Sequence, residues 1–564
     1  MLYQWAADAL KAYVPLETGQ ITELFEIPPS AQMGDIAFPC FMLAKHFRKA
    51  PQEVAKDIAQ AFCNSVIKAE AAGPYVNLKF DRTHYSTLIM EALSSESIPD
   101  IGKGMKVVID MSSPNIAKPI GIGHLRSTMI GAAIYNMYKL AGYDVVSVNH
   151  LGDWGTQFGK QIAAYKRWGD DEALLENPIG ESLKLYVRFH DEVPEHDTLE
   201  PEAREWFRKL ETGDEEALKL WTFFVDVSMK EFNRMYQRLN VVFDYTLGES
   251  FYNDKMQPVV DTLRDKGLLE ESDGALVVRL DDEGMPPCLI LKKDGTTIYP
   301  TRDLATAIYR HDTMKAERLL YVVGNEQRLH FEQVFAVLRR MGMDWVDSCI
   351  HLPFGLMKFE GKKMSTRRGK IVELEKVLDE AVAQALAIIN DKNPGLENKD
   401  QVAEEVGIGA IIFGDLKNQR LNEVDFSLED ALSFEGETGP YVQYTYARTQ
   451  SVLAKGATMD ETSIPEAESS LSGIDLLGDS GWELLKLLIR FPEHLQRGLR
   501  NHEPSVLARY ALDVAQLFNQ FYNKERIVTD EVSTRAARLS LTRLAGLSLS
   551  RTMRLLGIQT PERM

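Results

Sequence analysis

Residues 110–131 read DMSSPNIAKPIGIGHLRSTMIG. An apolar β-type run, 106–111, leads in, and a helical pattern with Ile130, Ile134 and Met137 on one stripe leads out. Pro114 and Pro119, then Gly121 and Gly123, lie between them. A strand, a glycine loop and a helix N-terminus in series suit a phosphate. The glycines let backbone approach closely, and the helix end presents unpaired N–H groups and the positive end of its dipole. His124 falls in the first helical turn, where an imidazole can hydrogen-bond a phosphate oxygen as negative charge builds. The loop is neither GxxxxGKS/T nor GxGxxG. Taken alone, it also matches a glycine turn capped by a histidine.

The α/β pattern continues outward. DVVSVNHLGDWG (144–155) is a second strand ending in polar residues, which predicts a parallel βαβ unit with its site at the strands' C-terminal ends. Residues 155–290 interrupt it with acidic, helix-rich sequence that includes one long helical run, 215–239. Asp273-Gly274 and Asp294-Gly295 mark hairpins there. RLLYVVGNEQ (318–327) resumes as a buried strand, HFEQVFAVLRRMG (330–342) as a helix, and HLPFGLMKF (351–359) as a third strand. A cationic loop, GKKMSTRRGK (361–370), follows the last strand of that sheet. Before the glycine loop, residues 1–95 read as a small α+β unit. It has a helix at 51–62 with Val54, Ile58 and Ala61 on one face, and an alternating strand at 73–80. Gly102 and Gly104 mark its boundary. After the cationic loop nearly everything is helical, apart from a polar surface loop at 454–481.

At 564 residues the chain exceeds what one core serves, and three or four domains are expected. No apolar run reaches the ~20 residues of a membrane helix. The opening MLYQWAADALKAYV lacks a cationic region and a cleavage site, so a cytoplasmic protein without membrane attachment is expected. Cys40, Cys63, Cys288 and Cys349 are too scattered for a disulfide framework or a zinc site, and are expected as buried apolar thiols. The net charge of −19 argues against a nonspecific nucleic-acid coat, so a nucleic-acid partner needs local basic patches.

The glycine–histidine loop and the Lys-Met-Ser loop together look like the HIGH and KMSKS signatures of class I aminoacyl-tRNA synthetases. Five longer strings narrow the resemblance: SSPNIAKPIGIGHLRST, NHLGDWGTQFG (149–159), YPTRDLATAIYRH (299–311), GETGPYVQYTYAR (436–448) and FNQFYN (518–523). Together they resemble the arginyl-tRNA synthetase family from about residue 75 to the end. The resemblance implies an α/β, Rossmann-like class I catalytic domain at 99–375 with a helical insertion at about 160–290. It implies an N-terminal α+β tRNA-contacting domain at 1–98, a helical connective region at 376–430 and an all-α anticodon-binding domain at 431–564.

The implied chemistry uses no protein nucleophile. The arginine carboxylate attacks the α-phosphorus of ATP, pyrophosphate leaves, and a 2′-hydroxyl of the terminal adenosine of tRNA(Arg) then takes the arginyl group. Catalysis is positioning plus stabilisation of phosphoryl charge. Mg2+ accompanies the ATP, and no protein-bound zinc or other metal is expected. By resemblance Gly121, Gly123, His124, Met364 and Ser365 bind ATP, with Lys118 and Lys363 completing the catalytic set. Tyr299 and Asp303 bind the guanidinium, Asp110 and Asn115 hold the amino-acid end, and Gln327 lies nearby. Asn77, with Phe80, meets the tRNA D-loop. Tyr441, Tyr444 and Arg448, with Phe518, Phe521 and Tyr522, belong to the domain that meets the anticodon. A monomer is expected. Two departures stand out. Gly121 replaces the first histidine of the first signature, and Thr366 replaces the second lysine of the other, so Lys118 is expected to supply the missing charge. The alternatives are another class I synthetase and an RNA-binding protein that kept the fold and lost the activity.

Overall fold

The computed structural model describes residues 2–94, 98, 100–359, 362–363, 373–458 and 476–564. In the N-terminal unit, strands β1 (Ile36–Pro39), β2 (Ile67–Ala72) and β3 (Tyr75–Phe80) form an antiparallel sheet in the order β1-β3-β2. The helix Pro51–Ala61 starts on a proline, whose missing N–H has no partner to lose in the first turn. It buries Val54, Ala55 and Ile58, while Ala61, expected on the same face, is exposed. β3 does not alternate. As the central strand it buries Val76, Asn77 and Leu78 in succession.

The parallel sheet is built from Val-, Ile- and Leu-rich runs, largely buried as parallel strands are. Its first βαβ unit is β4 (Lys106–Asp110), the helix Ile122–Leu140 and β5 (Asp144–Asn149). Next come β6 (Tyr245–Thr246), β7 (Glu270–Ser272), β8 (Ala275–Val278), β9 (Cys288–Leu291), β10 (Arg318–Tyr321) and β11 (Cys349–His351). The parallel sheet runs β11-β10-β4-β5-β6. The chain moves from β4 outward to β5 and later returns with β10 on the other side of β4, so strand order reverses between β4 and β10. Such a switch point opens a crevice beyond the strands' C-terminal ends. Asp110 and Tyr321, register partners across β4 and β10, stand at its edge.

Three expectations are corrected. Residues 351–359 are not one strand. Pro353 cannot donate to a ladder, so β11 stops at His351 and β12 (Met357–Phe359) begins a separate sheet. There β12 pairs antiparallel with β13 (Lys362–Lys363) and parallel with β14 (Val424–Phe426). The cationic stretch therefore leaves this small sheet, not the parallel one. Within the expected insertion, β6 rejoins the parallel sheet beside β5. Cys63 is exposed, whereas the other three cysteines are buried. Asp273 and Gly274 both take left-handed φ, +50° and +80°, in the two-residue turn joining β7 to β8.

The helices Leu374–Lys392 and Lys399–Leu416 lead into an all-helical C-terminal region, Gly439–Ala457 through Val532–Leu555. Residues 459–475 of the expected loop lie outside the described residues, and the helix before them persists to Ala457. Phe518 and Phe521 are fully buried and belong to that region's core. Asp35 of the N-terminal unit accepts from Trp482 Nε1 and Lys486 Nζ, each at 2.8 Å, which seats the N-terminal unit on this region. Among the described residues no helix is long and apolar enough to cross a membrane.

Candidate active site

Gly121 caps the helix Ile122–Leu140, and its N–H donates to His124 Nδ1 at 3.1 Å. With Nδ1 acting as acceptor, the proton of the neutral ring sits on Nε2. Burial lowers the His124 pKa, and the Lys118 charge lowers it further. His124 is thus a neutral N–H donor at neutral pH. Gly123 is exposed, and a Cβ there would meet nothing within 4 Å, so this side of the loop is open to a ligand.

The loop between β4 and Gly121 is strained. Ser112, Ser113 and Ala117 take left-handed φ of +73°, +55° and +60°. Each such residue costs on the order of 1–3 kcal/mol and persists only where surrounding structure holds it. Here buried hydrogen bonds do so. Ser112 N–H donates to Ser127 Oγ at 2.9 Å, and Ser112 Oγ bonds Tyr236 OH at 2.9 Å. Ser113 N–H donates to Asn149 Oδ1 at 3.2 Å, and Ala117 N–H to Ser228 Oγ at 3.0 Å. Ser228 and Tyr236 lie on the long helix Glu215–Arg238. In sequence that helix looks like an interruption, but it is the buttress of the glycine–histidine loop.

Of the expected amino-acid residues, Asp110 and Asp303 both lie near the buried His150 and Tyr321. Asp110 Oδ2 lies 2.7 Å from Arg310 Nη1, and its Oδ1 accepts from Ser113 Oγ at 3.1 Å. Asn115 sits on the backbone of Gly152, where a Cβ would fall 2.1 Å from the Asn115 Oδ1 atom, so a side chain at 152 would displace the Asn115 amide. Tyr299 opens the helix Tyr299–Asp312, and Asp303 follows one turn later. The N-cap of that helix is Ile298, so Asp303 does not serve as a cap. Gln327 is exposed in the turn Asn325–Gln327 beyond β10.

Two further residues join them that sequence reasoning missed. His330 Nε2 lies 2.5 Å from Asp303 Oδ2. Glu249 Oε2 lies 3.4 Å from Arg302 Nη1 at the same pocket. Burial, with the neighbouring carboxylates of Asp303 and Asp153, lifts the Glu249 pKa to about 7 against the opposing pull of Arg302. Asp153, from the quoted NHLGDWGTQFG string, holds the adjacent turn by accepting from Ser250 N–H at 2.8 Å and Ser250 Oγ at 2.6 Å. His330 follows β10 in a run that could have drawn attention, whereas Glu249 carries no local signal.

The cationic segment enters from the small sheet and exits on the glycine–histidine loop. Lys363 pairs through its backbone with Lys358 of β12. Met364 and Ser365 fall within 364–372, outside the described residues. On exit, Glu373 forms a bridge with Gly121, and Leu374 N–H donates to Ile120 O at 2.9 Å. Lys118 is half-buried with Nζ 5.0 Å above the Tyr186 ring, and burial lowers its pKa.

A separate cleft of about 880 Å3 opens on the helix Gly439–Ala457, lined by Tyr444, Arg448, Tyr522, Asn393 and Met564. The Arg448 guanidinium lies 5.0 Å from the Tyr444 ring and 5.2 Å from the Tyr522 ring. Asn519, from FNQFYN, accepts from Arg448 and donates to Tyr441 OH and Thr445 Oγ1 at 3.1 Å each. Asn77, by contrast, is 4% exposed in the centre of its sheet, and Phe80 is 3% exposed. Their own side chains are buried, although Lys79, on the Asn77 face of the same strand, is exposed.

A parallel sheet with a glycine–histidine loop at its switch point, with a strand pair that leads into a Lys-Met-Ser sequence, defines a class I aminoacyl-tRNA synthetase catalytic domain. The family description "tRNA synthetases class I (R), catalytic domain" matches residues 88–428, the DALR anticodon binding domain 442–564 and the arginyl tRNA synthetase N terminal domain 4–80. The chain belongs to the arginyl-tRNA synthetase family. Arginine–tRNA ligase 1 of Bacillus thuringiensis subsp. konkukian is 50% identical over 97% of this chain and 96% of its own length. Arginine–tRNA ligase of an Exiguobacterium species is 50% identical over 99% of each. The solved Thermus thermophilus arginyl-tRNA synthetase superposes with a TM-score of 0.82 at 27% identity, covering 100% of this chain and 99% of that one.

Proposed function

We propose that this chain is an arginine–tRNA ligase that activates L-arginine with ATP and transfers it to the 2′-hydroxyl of the terminal adenosine of tRNA(Arg). The observation that carries the choice of amino acid is the proximity of the Asp303 and Glu249 carboxylates. Two carboxylates with Tyr299 suit a planar, fork-shaped cation, and lysine leaves part of that acceptor set unpaired. Asp110 and Asn115 take the amino-acid end. Gly123 and His124 take ATP with Lys363, Met364 and Ser365, and Mg2+ enters with ATP as its counter-ion. The Tyr444–Arg448–Tyr522 cleft suits a stacked base, since an arginine between two rings offers both π faces and donors. A monomer residing in the cytoplasm completes the reading, and light scattering on the purified protein tests the first of these.

ATP–pyrophosphate exchange with each amino acid, with and without tRNA, tests the whole. Arginine-dependent exchange that requires tRNA is expected, and exchange with a different amino acid, or none, would overturn the proposal. A pH dependence follows from Glu249. Its carboxyl is half-protonated near pH 7, and a guanidinium favours the ionised form. Arginine affinity is therefore expected to rise several-fold from about pH 6 to about pH 8. Glu249→Gln flattens that rise, and a native profile equally flat removes Glu249 from the pocket. Lys118→Ala is expected to slow adenylate formation, and a rate within about twofold of native (~0.4 kcal/mol) refutes compensation for Thr366.

A further inference from the structure

The segment between β11 and β12 is gripped by two arginines that none of the chemistry above uses. Arg126, on the same helix as His124, is 1% exposed. Its Nη1 donates to Gly355 O at 2.6 Å and Asn422 O at 2.9 Å, and its Nε lies 2.9 Å from Asp415 Oδ1. Arg420 donates from Nη1 to Pro353 O at 2.5 Å and from Nε to His502 O at 3.3 Å, and its N–H donates to Glu503 Oε1 at 3.1 Å. Gly355 N–H donates back to Arg420 O at 2.8 Å. A Cβ on Gly355 would fall 2.6 Å from Leu421 O and Asn422 O, so this backbone lies directly on the residues that enter β14. The ring closes through His502, whose Nε2 bonds Tyr138 OH at 2.9 Å on the His124 helix. One buried hub thus joins the glycine–histidine helix, the small sheet and the C-terminal helical region. A buried, desolvated arginine is a poor source of net stability, and its best-attested use is fixing one arrangement among several.

We propose that Arg126 and Arg420 are positioning residues for adenylate formation. They hold the 353–356 segment, and through it the β12–β13 pair that carries Lys363, in register with His124. Arg420 makes that register depend on how the C-terminal region is seated. The proposal rests on the reading that His124 and Lys363 both address ATP.

The test is steady-state ATP–pyrophosphate exchange on the full chain with tRNA, comparing Arg126→Met, Arg420→Met and Lys363→Ala. Both arginine variants are expected to raise KM for ATP by about tenfold while KM for arginine stays within about twofold. A purely structural role has a different signature: less active protein, so kcat falls with both KM values unchanged. That pattern, or equal rises in both KM values, overturns the proposal. Lys363→Ala separates the two layers. If it leaves the ATP parameters at native values, the underlying ATP reading fails. If it impairs them while the arginine variants do not, only the clamp fails. Should Arg126→Met not fold, the half-buried Arg420 decides the question by the same two KM values, with Arg420→Lys expected to recover part of the loss.

Discussion

Arginine-dependent ATP–pyrophosphate exchange by His124→Ala is expected to run about 10^2 to 10^3 slower than native, with KM for arginine within about twofold. The magnitude follows from what the ring does. Its Nδ1 is held by the Gly121 N–H and burial keeps it neutral, so Nε2–H is a fixed donor aimed from the helix N-terminus. A preformed donor to charge that develops only in the transition state lowers the barrier by about 2.7–4 kcal/mol. Gly121 stands where the family pattern has another histidine, so fewer side-chain donors share the load. The loss should appear in kcat for exchange, because the ground-state phosphate is also contacted by backbone and lysines. A variant within about threefold of native would remove His124 from the reaction.

Asp303→Ala is the second large effect. KM for arginine is expected to rise by about 10^2 to 10^3, or about 2.7–4 kcal/mol, inside the roughly 2–5 kcal/mol typical when one partner of a desolvated charge pair is truncated. KM for ATP should move by less than about threefold. His330 holds one oxygen of Asp303 at 2.5 Å, so the carboxylate is oriented before substrate arrives and little of its effect is lost to reordering. Discrimination against lysine should fall in the same variant, since the planar acceptor set is broken. Equal increases in both KM values would show that the substitution had disturbed the crevice as a whole, and would sink the assignment of Asp303 to the guanidinium.

The sheet and its site were legible to different degrees. The β4–helix–β5 unit and the position of His124 were readable because strand and helix periods and a glycine loop are local properties of the chain. The split between β11 and β12 was also local, signalled by Pro353, yet the apolar run around it looked continuous. The central-strand burial of Asn77 was not readable. A polar residue in a strand is exposed or covered according to what packs on its face, and β3 becomes the central strand only because β1, some 36 residues earlier, pairs on its far side from the adjacent β2. Tyr441, Tyr444 and Tyr522 could not be told from Phe518 and Phe521 by spacing. Packing alone buried the phenylalanines and left Tyr444 41% and Tyr522 39% exposed around Arg448.

By itself the sequence determined the chemistry. It specified a nucleotide loop at a helix start, a cationic Lys-Met-Ser stretch, and the Tyr299 and Asp303 pair one helical turn apart. Each depends only on residues close together in the chain. The tertiary structure decided what holds them. Tyr236 and Ser228 fix the strained 112–117 loop, Glu249 is brought beside Asp303, and Arg126 meets Asp415 and Gly355. These contacts join residues remote in sequence. Their strength comes from removal of water around them, and burial is a property of the folded chain rather than of any local pattern.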